Sequence, residues 1–394
     1  MAGSVLTLNV GSSSLKFALF AADAPAASVR GAVEDLDAAP HLLAHDASGA
    51  VVAERRWAPD AAGSLATVLA VLLEFADAHL AGDVLAAVGH RVVPGGADHI
   101  APEPVTPALL AALEALTPLA PLHMPGNVAP MRAIASGWPG LAQVACFDTA
   151  FHHTMPAVAA RFALPRALSA AGVRRYGFHG LSYEHIASHL ARQAPVLARG
   201  RVIAAHLGSG ASLCALQAGV SIATTTGLTA LDGLVMATRC GNLDPGVILY
   251  LARQGHGFAE IEDMLYRRSG LAGVSGISGD VRVLLASHEA PAREAVELFT
   301  YRIALEAGAM ASALGGLDGL VFTGGIGEHA PAIRAETCTR LAWLGVRLDA
   351  AANLAGAACI SAPGSDVEVR VVAADEEAVI ARHTRAAISS AGTE

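Results

Sequence analysis

The sequence predicts an α/β protein assembled from two similar halves, and three observations carry that reading. Apolar, β-rich runs alternate with stretches of helical periodicity. One pattern, strand then Gly-Ser turn then strand, occurs at Leu6–Ser12 and again at Ile203–Ser209, half a chain later. Glycine-rich turns also follow strand patterns, in three places. At 394 residues the chain exceeds the roughly 250–300 at which a single core stops growing, so two domains are expected.

Taken in order, 5–10 reads as a strand, the Gly-Ser turn follows, and 15–20 reads as a second strand. Residues 64–79 have helical periodicity. A strand over 84–93 runs into a Pro-Gly-Gly loop. Helices are predicted over 107–116 and 127–136, and a buried strand over 142–147. The second hairpin pairs 201–206 with 212–217. Helices follow over 246–254 and 292–315. A short strand, 319–322, feeds a glycine-rich loop. A late strand, 367–373, precedes a closing helix over 376–388.

Hydrophobic residues make up 53% and charged residues 15%, which raises the question of a membrane span. A spanning helix needs about 20 nearly unbroken apolar residues. The best runs are broken by Glu74 and Glu114, and the run from Ala307 is short, so no membrane partner is expected. The start lacks a basic leader region, and no secretion signal is expected. The five cysteines show no Cys-x-x-Cys spacing, which suits a reducing cytoplasm rather than a disulfide framework. A net charge of −9 with scattered Arg argues against a nucleic-acid partner.

Several loops carry groups suited to anions. Asn9-Val-Gly-Ser12-Ser-Ser14-Leu-Lys16 sets hydroxyls and a cation in a tight turn, where successive amides form an anion-binding concavity. His206-Leu207-Gly208-Ser209-Gly210 is a second such turn. Gly324–His329 is a third, lying between a strand and a helix, as suits a nucleotide against backbone. Arg91 stands at a strand end before a flexible loop, and its planar fork matches carboxylate or phosphate. His123 sits in a proline-bounded loop. Asp148 follows an apolar strand, where burial demands a partner or a metal. Arg174, Arg175 and His179 share one loop, and Arg239 occupies a Gly-flanked turn.

Together these segments resemble the acetate kinases, of the acetate and sugar kinase, heat-shock chaperone and actin superfamily. The resemblance spans nearly the whole chain. It rests on NVGSSSLKF (9–17), GHRVVPGG (89–96), LAPLH (119–123), FDTAFH (147–152), RRYGFHG (174–180), HLGSGAS (206–212), LDGLVMATR (231–239), SGISGDVR (275–282), VFTGGIGE (321–328) and DEE (375–377). It implies a duplicated, two-domain actin-like (ribonuclease H-like) ATPase fold with a nucleotide cleft between domains, and a homodimer. The acyl-kinase domain would be 1–148 plus 377–394, and the nucleotide and dimerisation domain 149–376. The implied reaction is reversible transfer of the γ-phosphoryl group of ATP to acetate, giving acetyl phosphate and ADP, with propionate as a secondary substrate. The alternatives are a propionate kinase and, in another class, a nucleotide-binding switch without transfer chemistry.

The resemblance also implies roles. Arg91 and Arg239 grip carboxylate and phosphoryl group, and His179 donates to the phosphoryl oxygens. Asp148 orients rather than deprotonates, because an attacking carboxylate is already ionised. His123 helps place the phosphoryl group. Asn9 and Glu376 match the positions for Mg2+ (Mn2+ as substitute), and oxygen ligands suit that cation. Ser12, Ser14 and Lys16 match the first phosphate turn. His206, Leu207, Gly208, Ser209 and Gly210 match one nucleotide segment, Asp280, Val281 and Arg282 another. Gly325, Ile326, Gly327, Glu328 and His329 match a third. Val93, Leu122, Phe178 and Ala230 match the apolar acyl pocket. Ala230 stands where the family usually has Pro, which implies a wider pocket. Pro94, Met124, Cys240–Asn242 and His329 are further departures, and Asp375 places an added negative charge beside the metal position.

Overall fold

The computed structural model describes residues 3–11, 14–36, 39–58, 65–80, 82–121 and 123–391. It divides into two compact units, Met1–Ala150 with Asp375–Glu394, and Phe151–Ala374.

The first unit is built on one sheet. Its strands are β1 (Ser4–Val10), β2 (Leu15–Phe20), β3 (Val29–Glu34), β4 (His41–Asp46), β5 (Val51–Arg56), β6 (Leu85–Val92), β7 (Glu103–Pro104) and β8 (Ala142–Phe147). Their order is β5-β4-β3-β2-β1-β6-β8-β7. β1 is buried along its whole length, which explains its unbroken apolar run. Leu6, Leu8 and Val10 face the helix Leu65–Ala78, whose Val68, Leu69 and Leu72 share their cluster. Val5 faces the other way, with Ala18, Phe20 and Ala381 of the closing helix Glu376–Ala391.

That helix comes close to β6 because residue 89 is glycine. A Cβ there would stand 2.6 Å from Ile380 Cγ2 and closer still to the Thr384 hydroxyl, so any side chain would push the helix off the sheet. The close approach sets the first turn of the helix, with Glu376, beside the end of β6.

The second unit has strands β9 (Arg201–Leu207), β10 (Ala211–Gln217), β11 (Val220–Thr224), β12 (Gly319–Thr323) and β13 (Glu368–Val371), in the order β11-β10-β9-β12-β13. β10 runs antiparallel to β9 and β11, while β9, β12 and β13 are parallel. The series β3-β2-β1-β6-β8 in the first unit has the same order and the same directions. The duplication suggested by two Gly-Ser hairpins is thus a duplication of five strands. The register agrees as well: Asn9 opposes Lys16, and His206 opposes Ser212. One face of the second sheet packs on the long helix Ala290–Leu314 through Phe299, Ile303 and Ala307. The other packs on helix Gly180–Gln193 through Tyr183, Ile186 and Leu190.

The segment expected as a glycine-rich loop is a short helix, Gly324–His329. Gly324 has φ +76°, and a Cβ there would lie 2.8 Å from Leu207 O, so the left-handed turn that starts the helix requires glycine. Four strands of the first sheet, the two-residue β7 and β3 to β5, were not read from the sequence. In β3 to β5 the Ala, Gly, His and charged residues blur the two-residue period, and β7 is too short to show one.

Candidate active site

In the first unit, four groups converge from four elements. Asp148 follows β8 and is fully buried. Arg91, near the end of β6, directs Nε (3.0 Å) and Nη2 at Asp148 Oδ2. Its Nη1 donates to Asn9 Oδ1 at the end of β1, 3.0 Å away. Asn9 Nδ2 donates to Glu376 Oε2 at 3.1 Å, and Glu376 lies 3.9 Å from Arg91. Burial works against the Arg91 charge, but Asp148 and then Glu376 outweigh it and hold the guanidinium above its ordinary range. The sequence expectation that Asp148 needs a partner is met by Arg91. A guanidinium has five N–H donors. These three contacts fix its plane and leave donors on Nη1 and Nη2 for a ligand.

Asn9 and Glu376 contribute an amide oxygen and a carboxylate to one cluster, with the Asn9 amide nitrogen turned to the carboxylate and its oxygen to Arg91. That set fits a magnesium-type cation, which is usually held by one or two protein oxygens plus water and phosphate. Lys16 opposes Asn9 across the β1–β2 ladder, so both side chains share one face. Ser14 closes the turn by accepting the Gly11 N–H through its backbone oxygen at 2.8 Å. Ser12 lies outside the described residues.

Asp375 corrects one expectation. Its carboxylate takes both oxygens to Arg30 Nη2 on β3, each at 2.8 Å, so the added charge is neutralised locally. Arg30 also reaches Glu377 at 3.6 Å. Burial, then Glu376, push the Glu377 carboxyl up, against Lys16 and Arg30.

Of the residues expected to line an acyl pocket, Val93 is buried and its N–H donates to Asn127 Oδ1 at 2.9 Å. Asn127, itself buried, also donates to Val10 O at 3.3 Å. It therefore ties the residue after β6 to the end of β1. His123 forms the N-terminal cap position of helix Met124–Gly137. Leu122 lies outside the described residues.

The second unit gathers His179, His206, Arg239 and the Gly208–Gly210 turn. His179 precedes helix Gly180–Gln193 with left-handed φ +58°, a strained conformation that surrounding contacts must hold. Its ring stacks on His206 at 4.3 Å. Nδ1 of His179 meets Ser212 Oγ at 2.7 Å, and Nδ1 of His206 meets Ser182 Oγ at 2.8 Å. A Cβ on Gly210 would lie 3.2 Å from His179 Nε2 and 3.9 Å from Arg239 Nη1, so both cationic or donor groups approach the turn. The turn is pinned to the Arg239 segment by Ala237 N–H donating to Ser209 O at 3.1 Å. Arg239 Nη1 also donates to Ala230 O at 3.0 Å.

His152, from the FDTAFH segment, positions the residue before His179. Its Nε2 meets Phe178 O at 2.9 Å, and its Nδ1 meets Ser221 Oγ at 2.8 Å. A carbonyl only accepts, so the His152 proton sits on Nε2. Burial lowers its pKa to about 4, and it is neutral near pH 7. Phe178 itself is buried.

Other expected contacts are placed differently. Arg175 does not face a phosphate: it donates to Thr225 O (2.8 Å) and Thr226 O (2.6 Å) and pairs with Asp232 at 3.2 Å. Leu207 and Val281 are core residues, which leaves only their backbone for a ligand. Asp280 caps the helix Val281–Ala286 and pairs with the exposed Arg282. Gly325 and His329 are exposed and Gly327 is buried, while Ile326 packs against the core. Glu328 accepts the Ala374 N–H at 3.0 Å. Two further groups escaped sequence reasoning. Arg334, almost fully buried, donates to Gly327 O, Glu328 O and both oxygens of Asn353 at 2.7–2.9 Å, clamping the glycine segment. Tyr183 meets Ser212 Oγ at 2.5 Å. Neither residue stands out in sequence, since a lone Arg or Tyr in a helix has no local signal of its distant partner.

Residues 4–382 match the acetokinase family. The chain is 53% identical to the acetate kinase of Rhodopseudomonas palustris over 391 residues, covering 97% of this chain and 98% of that protein. It is 47% identical to the acetate kinase of Nitrobacter hamburgensis over 385 residues, 97% of this chain and 95% of that one. Among solved structures, Porphyromonas gingivalis acetate kinase aligns with a TM-score of 0.85 at 36% identity, covering 98% of this chain and all of that one. A propionate kinase from Francisella tularensis aligns with a TM-score of 0.88 at 35% identity, covering 97% and 98%. With matches along nearly its whole length, this chain is a member of the acetokinase family.

Proposed function

We infer that the protein is an acetate kinase, transferring the γ-phosphoryl group of ATP to the carboxylate of acetate and running the same reaction in reverse. Family membership supports an ATP- and ADP-using phosphotransferase that works with a divalent cation. Magnesium at Asn9 and Glu376, with manganese as substitute, is the finer proposal; those two residues would hold the cation, which would supply positive charge for the phosphates. The observation that carries the reading is the Arg91 fork, fixed by Asp148 and Asn9 with N–H donors still available. A planar carboxylate or phosphoryl group is what such a fork binds.

In the proposed mechanism, Arg91 holds the acyl carboxylate, which is already ionised and needs no base. Arg239 and the Nε2–H of His179 offset charge on the phosphoryl group as it moves, and transfer of this kind depends on alignment and electrostatics. Asp148 keeps Arg91 oriented. His123 helps place the phosphoryl group, and Ser12, Ser14 and Lys16 serve the first phosphate turn. The nucleotide segments are His206–Gly210, Asp280–Arg282 and Gly325–His329. The division of labour follows: 1–148 with 377–394 serves the acyl side, and 149–376 the nucleotide.

Hydroxylamine trapping of acetyl phosphate, with ATP, Mg2+ and acetate, tests the reading. Hydroxamate is expected, and Arg239→Ala should cut its formation by about 10²–10³-fold while ATP still binds. ATP binding without any hydroxamate from the wild type would point to the switch. The positions matched to the acyl pocket, Val93, Leu122, Phe178 and Ala230, are proposed to leave room for propionate, because one methylene is worth only about 1–3 kcal/mol. A kcat/KM for propionate more than about a hundredfold below that for acetate would remove the wider-pocket proposal.

Assembly as a homodimer is part of the same proposal. Helix Pro245–Arg253 buries none of its residues, and Ile248, Leu249 and Tyr250 are exposed. Apolar surface of that kind suits burial against a second copy. Among the described residues no helix is long and apolar enough to cross a membrane, and all five cysteines are free thiols; the proposed setting is the cytoplasm.

A further inference from the structure

Donation from His179 Nε2 requires that the ring carry its proton there rather than on Nδ1. The groups beneath the ring decide this. Ser212 Oγ is fully buried and has two neighbours, His179 Nδ1 at 2.7 Å and Tyr183 Oη at 2.5 Å. A serine hydroxyl has one proton and can donate to only one of them. The phenol is the more acidic donor, and an imidazole nitrogen is a far better acceptor than a phenol oxygen. The favoured polarity therefore runs from Tyr183 O–H to Ser212 Oγ, and from Ser212 O–H to Nδ1. With Nδ1 accepting, the neutral ring holds its proton on Nε2, the edge that faces the Gly210 turn and Arg239. The opposite polarity would aim a lone pair at an anionic ligand.

The second stacked ring follows the same plan. His206 Nδ1 meets Ser182 Oγ, and Ser182 and Tyr183 are consecutive residues of helix Gly180–Gln193. One helical turn thus supports both rings. Stacking at 4.3 Å disfavours charging both at once, since two adjacent cations repel in a partly buried site.

We propose that Ser212 and Tyr183 are positioning residues that hold the His179 proton on Nε2 and fix the ring toward the glycine turn. The proposal rests on the reading of His179 as a donor to the phosphoryl group. Its test has one readout that does not depend on that reading. In full-length enzyme labelled with ¹⁵N-histidine, the His179 signals are assigned by their loss in His179→Gln. Wild type should show Nε2 protonated and Nδ1 unprotonated at pH 8. Ser212→Ala should mix the tautomers, and Tyr183→Phe, which keeps the ring in the core, should do so in part.

In the kinetic arm, Ser212→Ala should lower kcat about 10- to 100-fold, with KM for ATP and acetate within about threefold, and Ser212→Thr should restore most of the rate. A wild-type Nδ1–H tautomer, or unchanged tautomers in both variants, overturns the proposal. Mixed tautomers with an unchanged kcat would uphold the positioning but overturn the donor role of His179.

Discussion

Asp148 shows how a single carboxylate acts through another side chain. It is completely buried, and its Oδ2 takes two N–H groups of Arg91. Removing one partner of a buried pair leaves the other charge uncompensated, at a cost of about 3–5 kcal/mol. Asp148→Asn keeps the shape but weakens the hold on the fork. The expected result is a raised KM for acetate, a fall in kcat of at least about tenfold, and a lower denaturation midpoint. An unchanged acetate KM would show that Arg91 is oriented by Asn9 alone. Some of this was legible beforehand: an Asp after an apolar strand must have a partner, and Arg91 sits one strand away. The support given by Arg334, Asn127, Ser212 and Tyr183 was not. Each meets its partner through a polar contact between different segments, and nothing in the local sequence announces it.

At the scale of elements, the closing helix Glu376–Ala391 determines where Glu376 stands. The ion pair between Arg30 and Asp375 is partly exposed, and pairs of that kind contribute only about 0–1 kcal/mol. Contact with β6 at Gly89 matters more. Gly89→Ala should destabilise the protein by about 1–3 kcal/mol. It should also raise the divalent-cation concentration needed for half-maximal rate, as the first turn of the helix moves. Manganese binding followed by electron paramagnetic resonance checks this apart from turnover, and unchanged binding would mean the helix tilts without moving Glu376. This helix was readable as a helix because its apolar residues recur at helical spacing. β3 to β5 were unreadable because strands with one solvated face and several short or charged residues lack a clean period. Gly324–His329 read as a loop for a related reason: its helix is set by one left-handed glycine and by the Arg334 clamp, not by helix-forming residues.

Across the whole molecule, acid should act through two histidines buried in separate units. Burial lowers the pKa of His90 to about 4, against its hydrogen bond to the Gln143 amide oxygen, and that of His152 to about 4 likewise. The unfolded chain has these groups near 6.5. Between about pH 6.5 and 4 the unfolded state therefore binds more protons than the folded one, so stability falls as pH falls through that window. The thermal midpoint should drop between pH 7 and pH 5, and His90→Gln should reduce the drop. An equal drop in that variant would assign the acid sensitivity to other groups.

The first unit is discontinuous in sequence, with its last helix supplied by Asp375–Glu394. During synthesis the entire second unit is polymerised before that helix exists, and domains fold as units while the chain emerges. The β1–β8 sheet must therefore wait, with the face that buries Ala18 and Phe20 uncovered, until the helix Glu376–Ala391 arrives. Glu376 arrives with it. A chain cut short by even these residues would keep its second unit and still lack the carboxylate beside Asn9, so the order of synthesis itself separates finished enzyme from fragments.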